Sequence, residues 1–134
     1  MYRVMMASAV MSVALAQGAL AQSGLRDERD LDEGLYVIGL AQEIKKKCPD
    51  IASRKFQRTL EVLKLRNRAL QLGYTEDEIR AHVKSDAEKA RLRERAAEYM
   101  KSKGLTQNRD GYCALGRLEM EKKSSVGALL RPDD

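Results

Sequence analysis

Residues 28–50 read ERDLDEGLYVIGLAQEIKKKCPD, and this stretch decides the fold. The apolar residues that recur on one helical stripe are Leu31, Leu35, Val37, Ile38, Leu40, Ala41 and Ile44. Three lysines at 45–47 stand where cations complement the negative end of a helix dipole. Pro49 then disfavours helix in the residue before it. We therefore expect a first helix from about Glu28 to Lys47 with one broad apolar face.

Helix patterns continue through the rest of the chain, whereas strand patterns do not recur. Two capping boxes, at Thr75 and Ser85, predict that separate helices begin there. The further helices that we expect cover about 51–72, 75–84, 85–103, a stretch from near Tyr112, and a short piece at 126–130. Residues 108–111, Asn-Arg-Asp-Gly, are typical of a turn between them. The predicted fold is all-α, a compact bundle of four to five helices.

Apolar spacing also predicts which side of each helix faces the core. The residues expected to be buried beyond the first helix are Phe56, Leu60, Leu63, Leu70, Ile79, Val83, Ala90, Ala97 and Met100.

The N-terminus has the three-part layout of a secretory signal peptide. Arg3 supplies a positive charge, Val4–Ala16 form a short apolar run, and Ala19-Leu20-Ala21 is an A-x-A cleavage signal. The run is shorter than the roughly 20 residues that span a bilayer. We expect residues 1–21 to be removed, which leaves 22–134 as a single helical domain in the periplasm without a transmembrane segment. An uncut signal region would instead act as a membrane tether.

Both cysteines, Cys48 and Cys113, lie in the predicted mature chain. Because the periplasm is oxidising, an even cysteine count indicates a disulfide, and two cysteines allow one intramolecular pairing. The bond would staple the end of the first helix to the start of the C-terminal one. A labile or intermolecular bond is the alternative, although no C-x-x-C motif is present.

The residues that could carry catalysis are few, and we expect no catalytic site, metal site or cofactor. His82 is the single histidine, which excludes H-E-x-x-H and multi-histidine zinc sites. A histidine at the edge of a core is the simpler interpretation of it, with a proton-linked role as the alternative. The available carboxylates are Glu33, Glu43, Asp50 and Glu61. Nothing in their spacing selects two of them as an acid and base pair.

Basic residues concentrate on the predicted second helix, where Glu61 is the main acidic counterweight. The candidate partner-binding face consists of Arg54, Lys55, Arg58 and Arg68. It would dock an acidic protein surface or anionic headgroups, and a simply solvated face is the alternative. The net charge of +5 is modest, and aromatic residues do not alternate with the charges, so nucleic acid is not expected as a partner.

Two stretches carry a resemblance to a known family. Residues 112–131, YCALGR through SVGALLR, look like the C-terminal end of a family of small exported proteins from alphaproteobacteria, and residues 72–79, from LGYT to EI, are also similar. That family is catalogued as a domain of unknown function. The resemblance implies a signal peptide and two cysteines, but no activity and no catalytic residues. Its members are often encoded among genes for the proton-pumping NADH:quinone oxidoreductase, which implies a respiratory accessory role.

These observations together predict a non-enzymatic periplasmic interaction protein. We expect an accessory or assembly factor of a respiratory or other membrane complex, with an acidic envelope protein or that complex as its partner. A stress-protective, chaperone-like domain is the alternative, and an immunity protein for an exported toxin is a third possibility. The sequence does not reveal the oligomeric state, because an apolar helical stripe suits an internal core and a dimer seam equally.

Overall fold

The computed structural model describes residues 24–134. The predicted signal peptide at 1–21 therefore lies outside the described residues. The helices are α1 (Arg29–Lys47), α2 (Lys55–Gln71), α3 (Glu76–Lys84), α4 (Asp86–Ser102) and α5 (Arg109–Lys122). Two short strands, β1 (Ile51–Ser53) and β2 (Leu130–Pro132), and 3-10 turns at Leu25–Asp27 and Gly127–Leu129 complete the described elements. The predicted all-α bundle is confirmed.

Helix α1 is the central element, because α2, α4 and α5 all pack against it. Its buried side chains are Leu31, Tyr36, Leu40, Ala41 and Ile44. Asp30 and Asp32 lie in its first turn and three lysines in its last, the arrangement that the helix dipole favours. The helix predicted from 28–47 is thus confirmed to within one residue.

The start of the predicted second helix is wrong, because residues 51–53 form a strand. Ile51, Ala52 and Ser53 pair with Pro132, Arg131 and Leu130 in an antiparallel ladder. The short helical piece predicted at 126–130 is present as a 3-10 turn at Gly127–Leu129, and it ends before Leu130 because β2 begins there. The pairing of β1 with β2 determines both the start of α2 and the end of the 3-10 turn. The local spacing of apolar residues does not indicate this pairing, because the two strands are distant in sequence.

The two predicted capping boxes have different outcomes. At Thr75 the box is complete: the Glu78 amide donates to Thr75 Oγ1 at 3.1 Å, and the Thr75 amide donates to Glu78 Oε2 at 2.7 Å. At Ser85 only the hydroxyl acts as a cap, and it accepts from the Glu88 amide at 3.3 Å. The Glu88 carboxylate instead accepts hydrogen bonds from Arg26 and Arg91. The predicted restart at residue 85 is confirmed.

The turn predicted at residues 108–111 is wrong, because α5 already begins at Arg109. Asn108 is its N-cap, and its Oδ1 atom accepts the Gly111 amide at 2.8 Å. Gly111 lies against the preceding loop, since a β-carbon there would stand 1.6 Å from the Thr106 carbonyl oxygen. An Asn-x-x-Gly sequence is equally compatible with a turn and with a capped helix start, and the tertiary contact selects the helix.

The main core cluster surrounds the second half of α1 and is built mainly from aliphatic residues. Its fully buried members are Ile44, Cys48, Met100, Leu115 and Leu130. A second cluster of Leu25, Leu31, Ala69 and Tyr74 closes the end where α2 meets the start of α1. Met100 is buried as predicted. Ala90 is exposed and Ala97 half-buried, because α4 faces the core along Leu92, Ala96 and Met100.

A disulfide joins Cys48 to Cys113, as predicted, with a Cα–Cα distance of 5.1 Å. Cys48 follows the last residue of α1, and Cys113 lies in the first half of α5. Both sulfurs belong to buried residues within the main core. The bond therefore fastens the central helix to the C-terminal part of the chain.

Candidate functional site

Helix α2 turns large apolar side chains toward solvent. Phe56 is 71% exposed, Leu60 49% and Leu63 46%. Their i, i+4, i+7 spacing puts them on one face, which we call the outer face of α2. The prediction that these residues are buried is wrong. Monomeric proteins rarely leave contiguous apolar patches uncovered, so this face is a candidate docking site.

The opposite side of α2 packs against the core because small residues allow a close approach. Ala69 is buried, and Leu65 lies directly on Gly34 of α1. A β-carbon at Gly34 would stand 2.5 Å from a Leu65 methyl carbon. The helix is thus seated through Leu65 and Ala69, and the larger residues Phe56, Leu60 and Leu63 are left facing outward.

An open groove of about 960 Å³ runs beside this face, between α1 and α2. Leu60 and Leu63 form its α2 wall, Val37 and Ile38 its α1 wall, and Leu129 closes one end. We call it the α1–α2 groove. Because Leu60 and Leu63 belong to both features, the groove and the outer face form one continuous apolar surface.

Charged residues border the α1–α2 groove. Arg68 Nε donates to Asp30 Oδ2 at 3.0 Å across the groove, and Lys64 lies 3.9 Å from Glu61 on α2 itself. The hydrogen bond from Arg68 is the main cause that lowers the pKa of Asp30 below its ordinary value. Asp30 therefore stays ionised at neutral pH, and these exposed pairs would orient a partner without contributing much binding free energy.

The structure separates the four residues of the predicted basic face into two pairs. Arg54 Nε donates to the Leu130 carbonyl oxygen at 2.9 Å, and Arg68 pairs with Asp30, so both hold the fold together. Lys55 and Arg58 form no ion pair within residues 24–134. The four residues thus do not act as one free surface, and Lys55 and Arg58 are the ones available to a partner.

A buried carboxylate, Glu119, was not singled out in the sequence. It is 2% exposed and accepts hydrogen bonds from Tyr99 Oη at 2.5 Å, from Lys122 Nζ at 3.2 Å and from the Ser124 hydroxyl. Burial alone raises the pKa of Glu119, but these three donors outweigh it and hold the pKa below its ordinary value. The sequence shows only its i,i+3 spacing from Lys122 on α5, because Tyr99 lies on α4 and Ser124 lies in the turn after α5.

The Glu119 network has the chemistry of a structural tie. The Tyr99 and Glu119 hydrogen bonds raise the pKa of Lys122, so the amine stays protonated and the carboxylate stays ionised at neutral pH. An ionised carboxylate with a lowered pKa is a poor general base, and a fully protonated amine is a poor nucleophile. The network instead connects α4, α5 and the 3-10 turn at Gly127–Leu129.

The other candidate groups are occupied or isolated within the described part of the chain. Glu33 pairs with Arg95, and Glu61 lies beside Lys64. His82 is half-buried in the last turn of α3. Cys48, Asp50 and Cys113 have potential ligand atoms within 4.8 Å of one another. Both sulfurs are consumed by the disulfide, however, and cannot bind a metal as thiolates.

The chain belongs to a family of unknown function, DUF5333, whose model matches residues 23–131. The predicted membership of a family of unknown function is thereby confirmed, and the match includes both resembling stretches, 72–79 and 112–131. No curated protein and no solved structure matches the chain. None of the helices at residues 24–134 is both long enough and apolar enough to cross a membrane.

Proposed function

We propose that this protein is a non-enzymatic interaction protein of the bacterial periplasm, an accessory or assembly factor that attaches to a respiratory or other membrane complex. The observation that carries the proposal is the outer face of α2. Phe56, Leu60 and Leu63 stand exposed side by side on one helix of a domain that is held together by a disulfide, ion pairs and a buried core.

The contact energies support a protein partner for this face. Burying one large aliphatic or aromatic side chain contributes about 1.5–3 kcal/mol, so three of them supply a useful binding anchor. A helix of a partner that carries apolar residues at i, i+3 and i+4 would lie in the α1–α2 groove and cover the outer face at the same time. The Asp30–Arg68 and Glu61–Lys64 pairs would form the polar rim of that interface.

The periplasmic location rests on two features of the chain. Residues 1–21 have the layout of a signal peptide, and the buried disulfide suits an oxidising compartment. The resemblance to an exported alphaproteobacterial family agrees with both. We infer that the partner is a periplasmic segment or subunit of an envelope complex.

A crosslinked affinity capture from the native envelope tests the proposal. Wild-type protein is expected to recover subunits of one membrane complex in stoichiometric amounts. The variant Phe56→Gln/Leu60→Gln/Leu63→Gln should lose that recovery, while Val62→Gln/Val83→Gln should keep it. This control removes two other exposed apolar side chains, which are 46% and 50% exposed. Equal recovery by all three proteins would reject the outer face of α2 as the docking site.

A chaperone-like role is the second candidate, and the acid-sensitive ion pairs favour it. The Arg68–Asp30 pair holds α2 to α1, and Arg26 and Arg91 hold Glu88 at the start of α4. Hydrogen bonds from these arginines lower the pKa of both carboxylates, so strong acid would break the ion pair between α2 and α1 and the ion pair between α4 and the 3-10 turn at Leu25–Asp27. Suppression of client aggregation that increases with acid-dependent dye binding would support this role, whereas a stoichiometric complex at neutral pH would support the accessory role.

A further inference from the structure

A second groove, of about 560 Å³, lies on another side of the molecule, between α1 and α4. We call it the α1–α4 groove. Its floor is apolar and includes Leu40, Leu92 and Ala96. Its rim carries four exposed cations, Lys46, Lys47, Lys89 and Arg93, against the single acid Glu43.

These four cations differ from the two arginines that flank Arg93 on α4. Arg91 pairs with Asp32 and Glu88, and Arg95 pairs with Glu33 and stacks on the Tyr36 ring at 3.8 Å. Arg93 lies between them on α4, yet neither it nor any of the three lysines belongs to an ion pair formed within residues 24–134. The rim of the α1–α4 groove is therefore an uncompensated positive surface.

The helix dipole accounts for the two cations that α1 contributes to this rim, but not for the two that α4 contributes. Lys46 and Lys47 lie in the last turn of α1, where the dipole favours cations. Lys89 lies near the start of α4, where the dipole disfavours a cation. Lys89 and Arg93 also stand at i,i+4, a like-charge spacing that destabilises a helix. The two α4 cations thus weaken the isolated fold slightly, and an anionic ligand would remove that cost.

We propose that the α1–α4 groove binds an acidic peptide segment of a protein partner. Side-chain carboxylates of the segment would meet Lys46, Lys89 and Arg93, and an apolar side chain between them would lie on Leu92 and Ala96. The wall from Gly39 to Lys47 is roughly 12 Å long at the helical rise per residue, which matches about four extended residues. The cations surround a concavity that a flat lipid surface would not fill.

This site is separate from the outer face of α2 and goes beyond the proposed function. Helix α1 contributes residues to both grooves, but α2 lines only the α1–α2 groove and α4 lines only the α1–α4 groove. A protein with both could join two segments of a complex. Loss of one binding activity would leave the other measurable.

Fluorescence anisotropy with a defined probe tests the proposal. The probe is a fluorescein-labelled octapeptide of glutamate with two central leucines, and its control is the same peptide with glutamine for every glutamate. The acidic peptide is expected to bind at least tenfold more tightly than the glutamine peptide. Its affinity should fall as salt is raised, because screening weakens the charge contacts.

Substitutions at Gly39 test whether the peptide binds in the α1–α4 groove, and we expect them to leave the fold intact. Gly39 lines the groove, and a β-carbon there meets no atom within 4 Å. Gly39→Glu puts an anion into the groove and should weaken peptide binding at least fivefold relative to Gly39→Gln, which has the same size. Lys89→Glu/Arg93→Glu should weaken it at least tenfold. The control Lys84→Glu/Lys101→Glu reverses two exposed charges outside the groove and should stay within twofold of the wild type.

Three results would overturn the proposal. Equal affinity for the acidic and glutamine peptides would show that charge does not select the ligand. Equal weakening by the groove variants and by Lys84→Glu/Lys101→Glu would show only a net-charge effect. Groove-dependent binding of anionic phospholipid vesicles, without binding of the peptide, would assign the rim to a membrane surface instead.

Discussion

Gly127 lies directly on the backbone of Glu119, since a β-carbon at 127 would stand 2.1 Å from the Glu119 carbonyl oxygen. The Ser124 hydroxyl supports this contact, because it accepts the Gly127 amide at 3.0 Å and donates to the Glu119 carboxylate. The turn that leads into β2 is therefore packed on the end of α5 so closely that residue 127 has no room for a side chain.

This contact predicts opposite effects for two glycine substitutions. Gly127→Ala should lower the free energy of unfolding by about 1–3 kcal/mol, because backbone must move to admit the methyl group. Gly39→Ala should raise it by about 0.5–1 kcal/mol, since the site is open and alanine favours helix. Urea denaturation followed by circular dichroism measures both. A destabilised Gly39→Ala protein would contradict the described packing of α1.

The Glu119 network predicts a pH-dependent contribution to stability. The folded-state pKa of Glu119 lies below its unfolded value, so the contribution is present above about pH 4.5 and is lost as the pH falls through the folded-state pKa. Glu119→Gln should cost about 1–3 kcal/mol at pH 7. The difference between the two proteins should shrink below pH 4.5 in denaturation series. A constant difference down to pH 3 would mean that packing, and not charge, makes the contribution.

Removal of the Cys48–Cys113 disulfide should lower the melting temperature while helical content at room temperature persists. The bond closes a loop across a sequence separation of 65 residues, which is worth about 4 kcal/mol in the chain-entropy model. Thermal melts of the oxidised protein, the reduced protein and Cys48→Ala/Cys113→Ala measure the effect. Reductant should not change the melt of the double variant. Equal melting temperatures before and after reduction would reject the stabilising role.

The predicted basic face separates into fold-holding and partner-facing residues. Lys55→Glu/Arg58→Glu should reduce partner capture without lowering the melting temperature, because neither residue has an ion pair among the described residues and an acid is favoured in the first turn of α2. Arg54→Ala should lower stability by about 1 kcal/mol, since its tie to the Leu130 carbonyl is lost. If Lys55→Glu/Arg58→Glu retains full capture, the outer face of α2 acts without help from charge.

Local chemistry was sufficient to predict much of the fold. The apolar stripe of α1, the capping box at Thr75, the restart at Ser85 and the disulfide all follow from residues close in sequence or from cysteine count. Each of these signals depends on short-range geometry that a sequence displays directly.

The orientation of α2 could not be predicted, because its two faces compete. Phe56, Leu60 and Leu63 give the stronger apolar signal, but Leu65 and Ala69 fit against Gly34 and decide the packing. Gly34 on α1 has no side chain, so it leaves room for Leu65 and sets which face of α2 is buried. The apolar periodicity within α2 contains no information about a residue on α1. The hydrogen bond between Tyr99 and Glu119 and the β1–β2 pair escaped prediction for the same reason, since each joins different segments of the chain.

The antiparallel pair of β1 with β2 also affects the order of events during synthesis. Residues 51–53 leave the ribosome long before residues 130–132, with which they pair. The hydrogen bonds from the Arg54 amide to Leu129 and from the Arg54 side chain to Leu130 likewise form only after those residues have been made. The central helix thus has no completed C-terminal anchor until nearly the whole chain has been made.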